Sequence, residues 1–265
     1  MSEYTLIKPE QNCGMCGYIW QTIRAIHQNP NEKYYIDFTN SIYKTNNDNV
    51  WNYFFYQPHS IRMPETNEIK KQVGIIFDQQ SEFIYDLTIP KTEEEIKRRR
   101  LEFNNIINKY IKLKPHIQYK IDTFVKNNFE NKKILGVHFR GTDHPNKKNM
   151  DQYMQIVKEK LVNYDKLFVC SDEHERYILP KAVFRDKVIG YKSLRSGDND
   201  IPLHASQNDP RYKRPNDFQY QYKIAEDVII ESYLMSKVNF LICAPSSNVN
   251  FLARAINSNL EYLDL

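Results

Sequence analysis

The sequence predicts an α/β protein whose second half is a parallel sheet with helices on both faces. Two patterns carry that prediction. Apolar runs recur at Ile134–Phe139, Leu167–Cys170, Val188–Tyr191 and Phe240–Ala244. Segments of helical period near Met150–Val162, Asn216–Met235 and Ser247–Ile256 alternate with them. Short β runs interleaved with helices need crossover connections, and crossovers make parallel sheets. Composition is the third observation. The chain has 265 residues, 41% hydrophobic and 26% charged, which is ordinary for a globular protein and excludes wholesale disorder, collagen-like repeats and a disulfide mini-protein. A chain this long buries roughly 70% or more of its unfolded surface and folds without staples.

The elements follow in order. Tyr4 to Lys8 reads as a strand, and a loop with Gly14 and Gly17 leads into a helix from Tyr18 to about Gln28, with Ile19, Ile23 and Ile26 on one face. Tyr34 to Phe38 reads as a second strand and Gly74 to Phe77 as another. Between them Val50 to Tyr56 forms an aromatic cluster suited to a core or a lobe interface. Thr92 and Glu95 have the spacing of a capping box and open a long helix after Pro90. Pro115 interrupts it, and a second helical stretch runs to about Phe129. These helices join an N-terminal lobe, residues 1–130, to a C-terminal lobe, residues 131–265. The span Leu194 to Arg214 reads as a long loop, a length at which loops tend to be functional.

Charge and cysteine usage narrow the function. Net charge is +4, with 37 basic against 33 acidic residues. That is mild for a nucleic-acid binder, so no nucleic-acid partner is expected. The basic run Lys97 to Arg100 follows three glutamates and reads as the solvated face of a helix. Cys13 and Cys16 make one C-x2-C with no second pair at zinc spacing, and the pattern points to a reducing, cytoplasmic compartment, free or peripheral to a membrane. No apolar run reaches 18 residues and no leader is visible, so no integral membrane segment is expected.

In open α/β sheets ligands bind at the carboxyl ends of the strands. Three strand ends here carry polar residues. The first delivers His138, Arg140 and Asp143, and strand alternation puts His138 and Arg140 on one face. Arginine presents a planar fork of donors suited to a phosphate, although an Arg140–Asp143 pair closing a turn is the plainer reading. The second is Cys170-Ser171-Asp172-Glu173, where Asp172 either caps the next helix or acts in chemistry. The third breaks at Pro245 and opens a helix with Ser246 and Ser247. A helix N-terminus with free N–H groups is an anion site, and Ser246 could equally be a simple cap. Arg140 with Ser246 and Ser247 suggests a diphosphate at the rim of one sheet. The glycine loop at Gly14 could bring bare backbone near a phosphate. Asp198-Asn199-Asp200 has D-x-D spacing but lies in the long loop rather than after a strand, which favours a solvated loop.

His138-Phe139-Arg140-Gly141-Thr142-Asp143 resembles the H-x-R-x-T-D element of the α1,6-fucosyltransferases and nodulation fucosyltransferases, relatives of the protein O-fucosyltransferases. Leu234 to Cys243 followed by Pro245-Ser246-Ser247 resembles the second block of that family, and Cys170-Ser171-Asp172-Glu173 stands where it has a short acidic motif. Order and spacing agree over roughly residues 133 to 257. The resemblance implies a GT-B-like fold of two Rossmann-like lobes, a nucleotide-sugar donor such as GDP-fucose, a glycan acceptor, and an inverting transfer with no metal or other cofactor. By motif match Arg140 would grip the β-phosphate, Ser246 and Ser247 would contact the same phosphates, and His138 would support the nucleotide. Glu231 would read the base, and Gly14 would touch the donor from the first lobe. Asp143 and Asp172 are the candidate bases, and the sequence does not choose between them.

Two positions depart from the family pattern. Gly141 stands where a second arginine is usual, and Glu231 is one methylene longer than the usual aspartate. The longer acid keeps open the same fold with another donor, UDP-xylose or a different GDP-hexose. A non-catalytic nucleotide- or glycan-binding protein, or a weak nucleic-acid binder using Arg211–Arg214 and the many tyrosines, is the reading from another class.

Overall fold

In the computed structural model the described residues are 3–8, 13–44, 46–59, 62–74, 92–141, 150–197, 203, 217–244 and 247–265. They form two compact units. One comprises Met1–Gln118 with Ser206–Glu226, the other Tyr119–Ala205 with Asp227–Leu265.

The first unit holds a three-stranded parallel sheet of order β2-β1-β3, from β1 (Tyr4–Ile7), β2 (Lys33–Ile36) and β3 (Ile69–Val73). The third strand therefore precedes the expected Gly74 to Phe77, of which 75–77 lie outside the described residues. Its sequence, Ile-Lys-Lys-Gln-Val, puts three charged or polar residues between two apolar ones at a sheet edge, which left no continuous apolar run to find. Helix α1 (Met15–Gln28) buries its isoleucines, as the periodicity requires. Short α2 (Trp51–Phe54) puts the aromatic cluster into the core, where Trp51 stacks on Phe55 at 4.4 Å and meets Phe38 edge-on at 5.2 Å. Helix α3 (Glu93–Tyr110) opens with the expected capping box: the Glu95 amide donates to the Thr92 hydroxyl at 3.2 Å and the Thr92 amide to the Glu95 carboxylate at 3.1 Å. In its basic run Lys97 and Arg98 face solvent, whereas Arg100 is buried. Pro115 opens α4 (Pro115–Asn128), a position where its missing N–H costs nothing.

The second unit holds a five-stranded parallel sheet of order β6-β5-β4-β7-β8. Its strands are β4 (Ile134–Phe139), β5 (Lys166–Ser171), β6 (Val188–Ile189), β7 (Phe240–Cys243) and β8 (Glu261–Asp264). Central β4 is buried at all six positions, as expected of a strand covered on both faces. Helices α5 (Met150–Leu161), α6 (His174–Phe184), α7 (Phe218–Met235) and α8 (Asn248–Ile256) complete the βα alternation. Tyr153, Val157 and Leu161 of α5 pack on Leu135, Val137 and Phe139 of β4 and on Leu167 and Val169 of β5. Strand β8 has no counterpart among the sequence expectations. It is held by its register with β7 and by Arg254 of α8, which is 1% exposed, pairs with Asp264 at 3.0 Å and lies over the Tyr262 ring at 4.2 Å. Among the described residues no helix is long and apolar enough to cross a membrane.

Candidate functional site

Strand register builds one rim. His138 of β4 lies beside Cys170 of β5 and Cys243 of β7, and Phe139 lies beside Ser171. Arg140 after β4 is therefore level with Asp172 after β5, and Ala244 after β7 stands one residue lower, level with Phe139. All three strands are parallel, so this is the carboxyl edge, where open α/β sheets bind ligands.

Arg140 and Asp172 meet there. An Nη1 of Arg140 donates to Oδ2 of Asp172 at 3.1 Å, and both side chains are largely buried. The other oxygen, Oδ1, accepts the Gly141 amide at 3.0 Å. Asp172 thus fixes both the guanidinium and the backbone just past it, and the cap position of α6 falls to Glu173. Asp143, the partner first considered for Arg140, lies outside the described residues. The Asp172 backbone is held too, its carbonyl accepting the Ser196 amide at 2.8 Å.

Gly141 is small for a reason the sequence did not disclose. A Cβ built on it would stand 2.2 Å from Cδ of Glu173 and 2.4 Å from its Cγ and Oε1. Glu173 is 2% exposed, and its carboxylate accepts Nε of Arg176 at 2.5 Å. The space a side chain would take at position 141 is filled by a buried ion pair.

His138 is buried, and its Nδ1 lies 2.8 Å from Oδ1 of Asn250, which is 0% exposed. The Asn250 amide group donates to the Ala244 carbonyl at 2.6 Å, so its oxygen faces the imidazole and Nδ1 carries the proton. Asn250 was missed from sequence. Its signal is a polar residue on the fully buried stretch Val249–Ala255. Ser247 is the N-cap residue of α8 and makes no side-chain capping bond, so its hydroxyl is not spent on the helix end. Ser246 lies outside the described residues.

Glu231 reaches the same strands from α7. The Cys170 thiol donates to its Oε2 at 3.2 Å, and Cys170 is the cross-strand neighbour of His138. Oε1 accepts from the Ser193 hydroxyl and, at 3.3 Å, from Nη2 of Arg195. Arg195 also donates to the carbonyls of Ser193 (3.0 Å) and Tyr191 (3.1 Å) and stacks on the Tyr177 ring at 3.8 Å. Burial pushes the Glu231 carboxyl up to about 7, with Arg195 and the two donors opposing that rise. Arg195 and Ser193 carried no sequence motif.

Gly14 belongs to the first unit, where it is the N-cap residue of α1 in extended geometry and its carbonyl accepts the Gly17 amide at 2.8 Å. Nearby, burial pushes the Cys13 thiol up to about 12, which keeps it protonated at neutral pH. Asp198-Asn199-Asp200 and Arg211–Arg214 lie outside the described residues.

Comparison with solved structures fixes the architecture. The chain superposes on the fucosyltransferase NodZ from Bradyrhizobium with a TM-score of 0.57 at 18% identity, over 96% of this chain and 93% of that one. A NodZ α-1,6-fucosyltransferase co-crystallised with GDP gives 0.56 at 17% identity, over 96% and 92%. A mutant of Arabidopsis thaliana FUT1 in complex with GDP gives 0.63 at 8% identity, over all of this chain and 71% of that one. The chain has their GT-B-like fold. No family model matches the sequence, and no curated protein matches it.

Within that fold the carboxyl rim of the second sheet carries, among the described residues, a fixed cation and the start of a helix past β7. Arg140 is held in place by Asp172, and α8 begins just past β7. Such a pair suits an oxyanion that gains charge as a bond breaks.

Proposed function

We propose that the chain is an inverting glycosyltransferase that moves fucose from GDP-fucose to a glycan acceptor, without a bound metal. The observation that carries this reading is the Arg140–Asp172 pair at the carboxyl rim of the second sheet. The likeness of the fold to fucosyltransferase structures bound to GDP supports it.

The residue roles follow from what each group can do. Arg140, already oriented, would meet the departing β-phosphate, which leaves carrying about two negative charges. A preset guanidinium costs no reorganisation when that charge appears, so it favours the transition state over the ground state. Ser246 and Ser247, with the first amides of α8, would hold the same diphosphate. His138, its Nδ1 tied to Asn250, would support the nucleotide. Both oxygens of Asp172 are engaged, so we assign it a positioning role and leave the base to Asp143. Gly14 would touch the donor from the first unit.

A second reading keeps the chemistry and changes the donor to UDP-xylose or another GDP-hexose. What favours it is the Glu231 carboxylate, the expected reader of the base, which is occupied by Arg195, Ser193 and Cys170. Thermal unfolding with millimolar GDP, UDP, ADP and CMP, each with and without EDTA, separates the readings. A ligand at 100 times its Kd adds about 2.7 kcal/mol to stability. A GDP-selective, EDTA-insensitive rise that Arg140→Ala abolishes is the expected result, and a UDP-selective rise moves the donor. No rise with any nucleotide sinks the transferase.

A further inference from the structure

A cavity of about 490 Å³ opens beside the rim, along α6. That is the size of a small-molecule site. Its lining is divided along the helix axis. Glu173, His174, Glu175 and Arg176, at the start of the helix, make a polar end that carries the charged groups. Met150 and, further along the helix, Ile178 and Leu179 make an apolar end. A helix rises 1.5 Å per residue, so the lining from His174 to Ala182 spans about 12 Å.

The polar end is continuous with the candidate donor site. Glu173 follows Asp172 directly, and its carboxylate lies against Gly141, the residue after Arg140. It is fixed by Arg176, whose Nη1 is buried with no hydrogen-bond partner among the described residues. Charged and polar side chains along one end of a cavity suit the hydroxyl-rich part of a ligand. The apolar end is open to solvent: Ile178 and Leu179, consecutive residues, are 41% and 42% exposed. Large aliphatic side chains exposed side by side in the wall of a concave site have an apolar ligand group as their natural cover.

From this segregation we infer that the cavity binds the acceptor and that the acceptor is amphiphilic: a sugar joined to an alkyl or aryl group. The sugar lies at the Glu173–Arg176 end, next to the strand ends, and the apolar aglycone runs along Ile178 and Leu179. The inference rests on the transferase reading for calling this ligand an acceptor. The binding preference itself stands apart from that reading.

Titration calorimetry of the full chain with n-octyl β-D-glucopyranoside, below its micelle concentration, and with methyl β-D-glucopyranoside tests it. The octyl glycoside is expected to bind at least tenfold more tightly than the methyl glycoside. Ile178→Ser/Leu179→Ser, at two exposed positions, should remove most of that advantage while leaving the GDP-induced rise in unfolding temperature unchanged. An octyl glycoside that binds no tighter than the methyl one, or an advantage that survives in the double variant, overturns the amphiphilic site. Octyl selectivity without any GDP response would instead sink the transferase reading and leave the cavity as a binding site for amphiphilic glycosides.

Discussion

Gly141→Ala probes the link between the two strand ends most directly. No described glycine has a positive φ, so alanine meets no backbone penalty at position 141. The cost is steric and local. The new methyl would lie 2.2 Å from Cδ of Glu173, closer than any Cβ contact allows, so the Glu173 side chain must move. That side chain is 2% exposed and salt-bridged to Arg176 at 2.5 Å. Overpacking costs about 1–3 kcal/mol, and breaking a buried pair outright costs about 3–5. A shift that strains the pair without stripping it should cost about 2–4 kcal/mol. Gly197→Ala is the control, because no described residue lies within 4 Å of its Cβ and the backbone entropy gain makes it neutral or slightly stabilising. Urea unfolding of both variants, with Glu173→Ala and the Gly141→Ala/Glu173→Ala double, gives the coupling between the two sites. A coupling of at least 1 kcal/mol is expected, because removing Glu173 removes the clash. If Gly141→Ala costs no more than Gly197→Ala, the crowding at the rim is wrong.

Glu231 makes stability depend on pH. Its carboxyl rises from 4.5 to about 7 through burial, so the folded chain keeps a proton that the unfolded chain releases. The contribution is full below about 4.5 and is lost as pH rises through about 7, a difference of about 3 kcal/mol. Glu231→Gln should flatten the stability profile between pH 5 and 8 by about that amount, and an unchanged slope in denaturant titrations would refute it. Asp172→Asn keeps an oxygen for the Gly141 amide but loses the charge that holds Arg140. It should weaken GDP binding and transfer by about tenfold or more while costing about 1–2 kcal/mol of stability, separable by calorimetry and unfolding. Arg254→Ala strips the buried partner from Asp264 and should cost about 2–4 kcal/mol, with Arg254→Met recovering part of it through packing, as read by urea midpoints.

The second sheet was legible because a buried parallel strand is nearly all apolar. Ile134–Phe139 and Phe240–Cys243 announce themselves. Edge strands do not. Ile69–Val73 and Glu261–Asp264 mix charge with apolar residues and became strands through partners on β1 and β7. The rim was half legible. His138, Arg140 and Asp172 follow apolar runs and could be proposed one by one, but that Asp172 meets Arg140 depends on the register of β4 with β5. Asn250, Ser193 and Arg195 sit in a buried helix and a polar loop with no motif, and only the fold brings them to His138 and Glu231.

The position of β4 between β5 and β7 also sets an order of assembly. The backbone before β4 meets the residue before β5 32 positions away, where the Lys133 amide bonds Asp165, but on its other side Ile134 must find Asn239 at a separation of 105. Local pairing comes first, since loop closure grows costlier with length. Until β7 arrives, a strand reading Ile-Leu-Gly-Val-His-Phe presents one open, uncharged edge. Such an edge recruits other chains as readily as its own. Yield of soluble protein will therefore depend on how quickly the late segment docks: slower synthesis, high temperature or crowding of nascent chains should divert it to aggregates before the native sheet is ever less stable than its competitors.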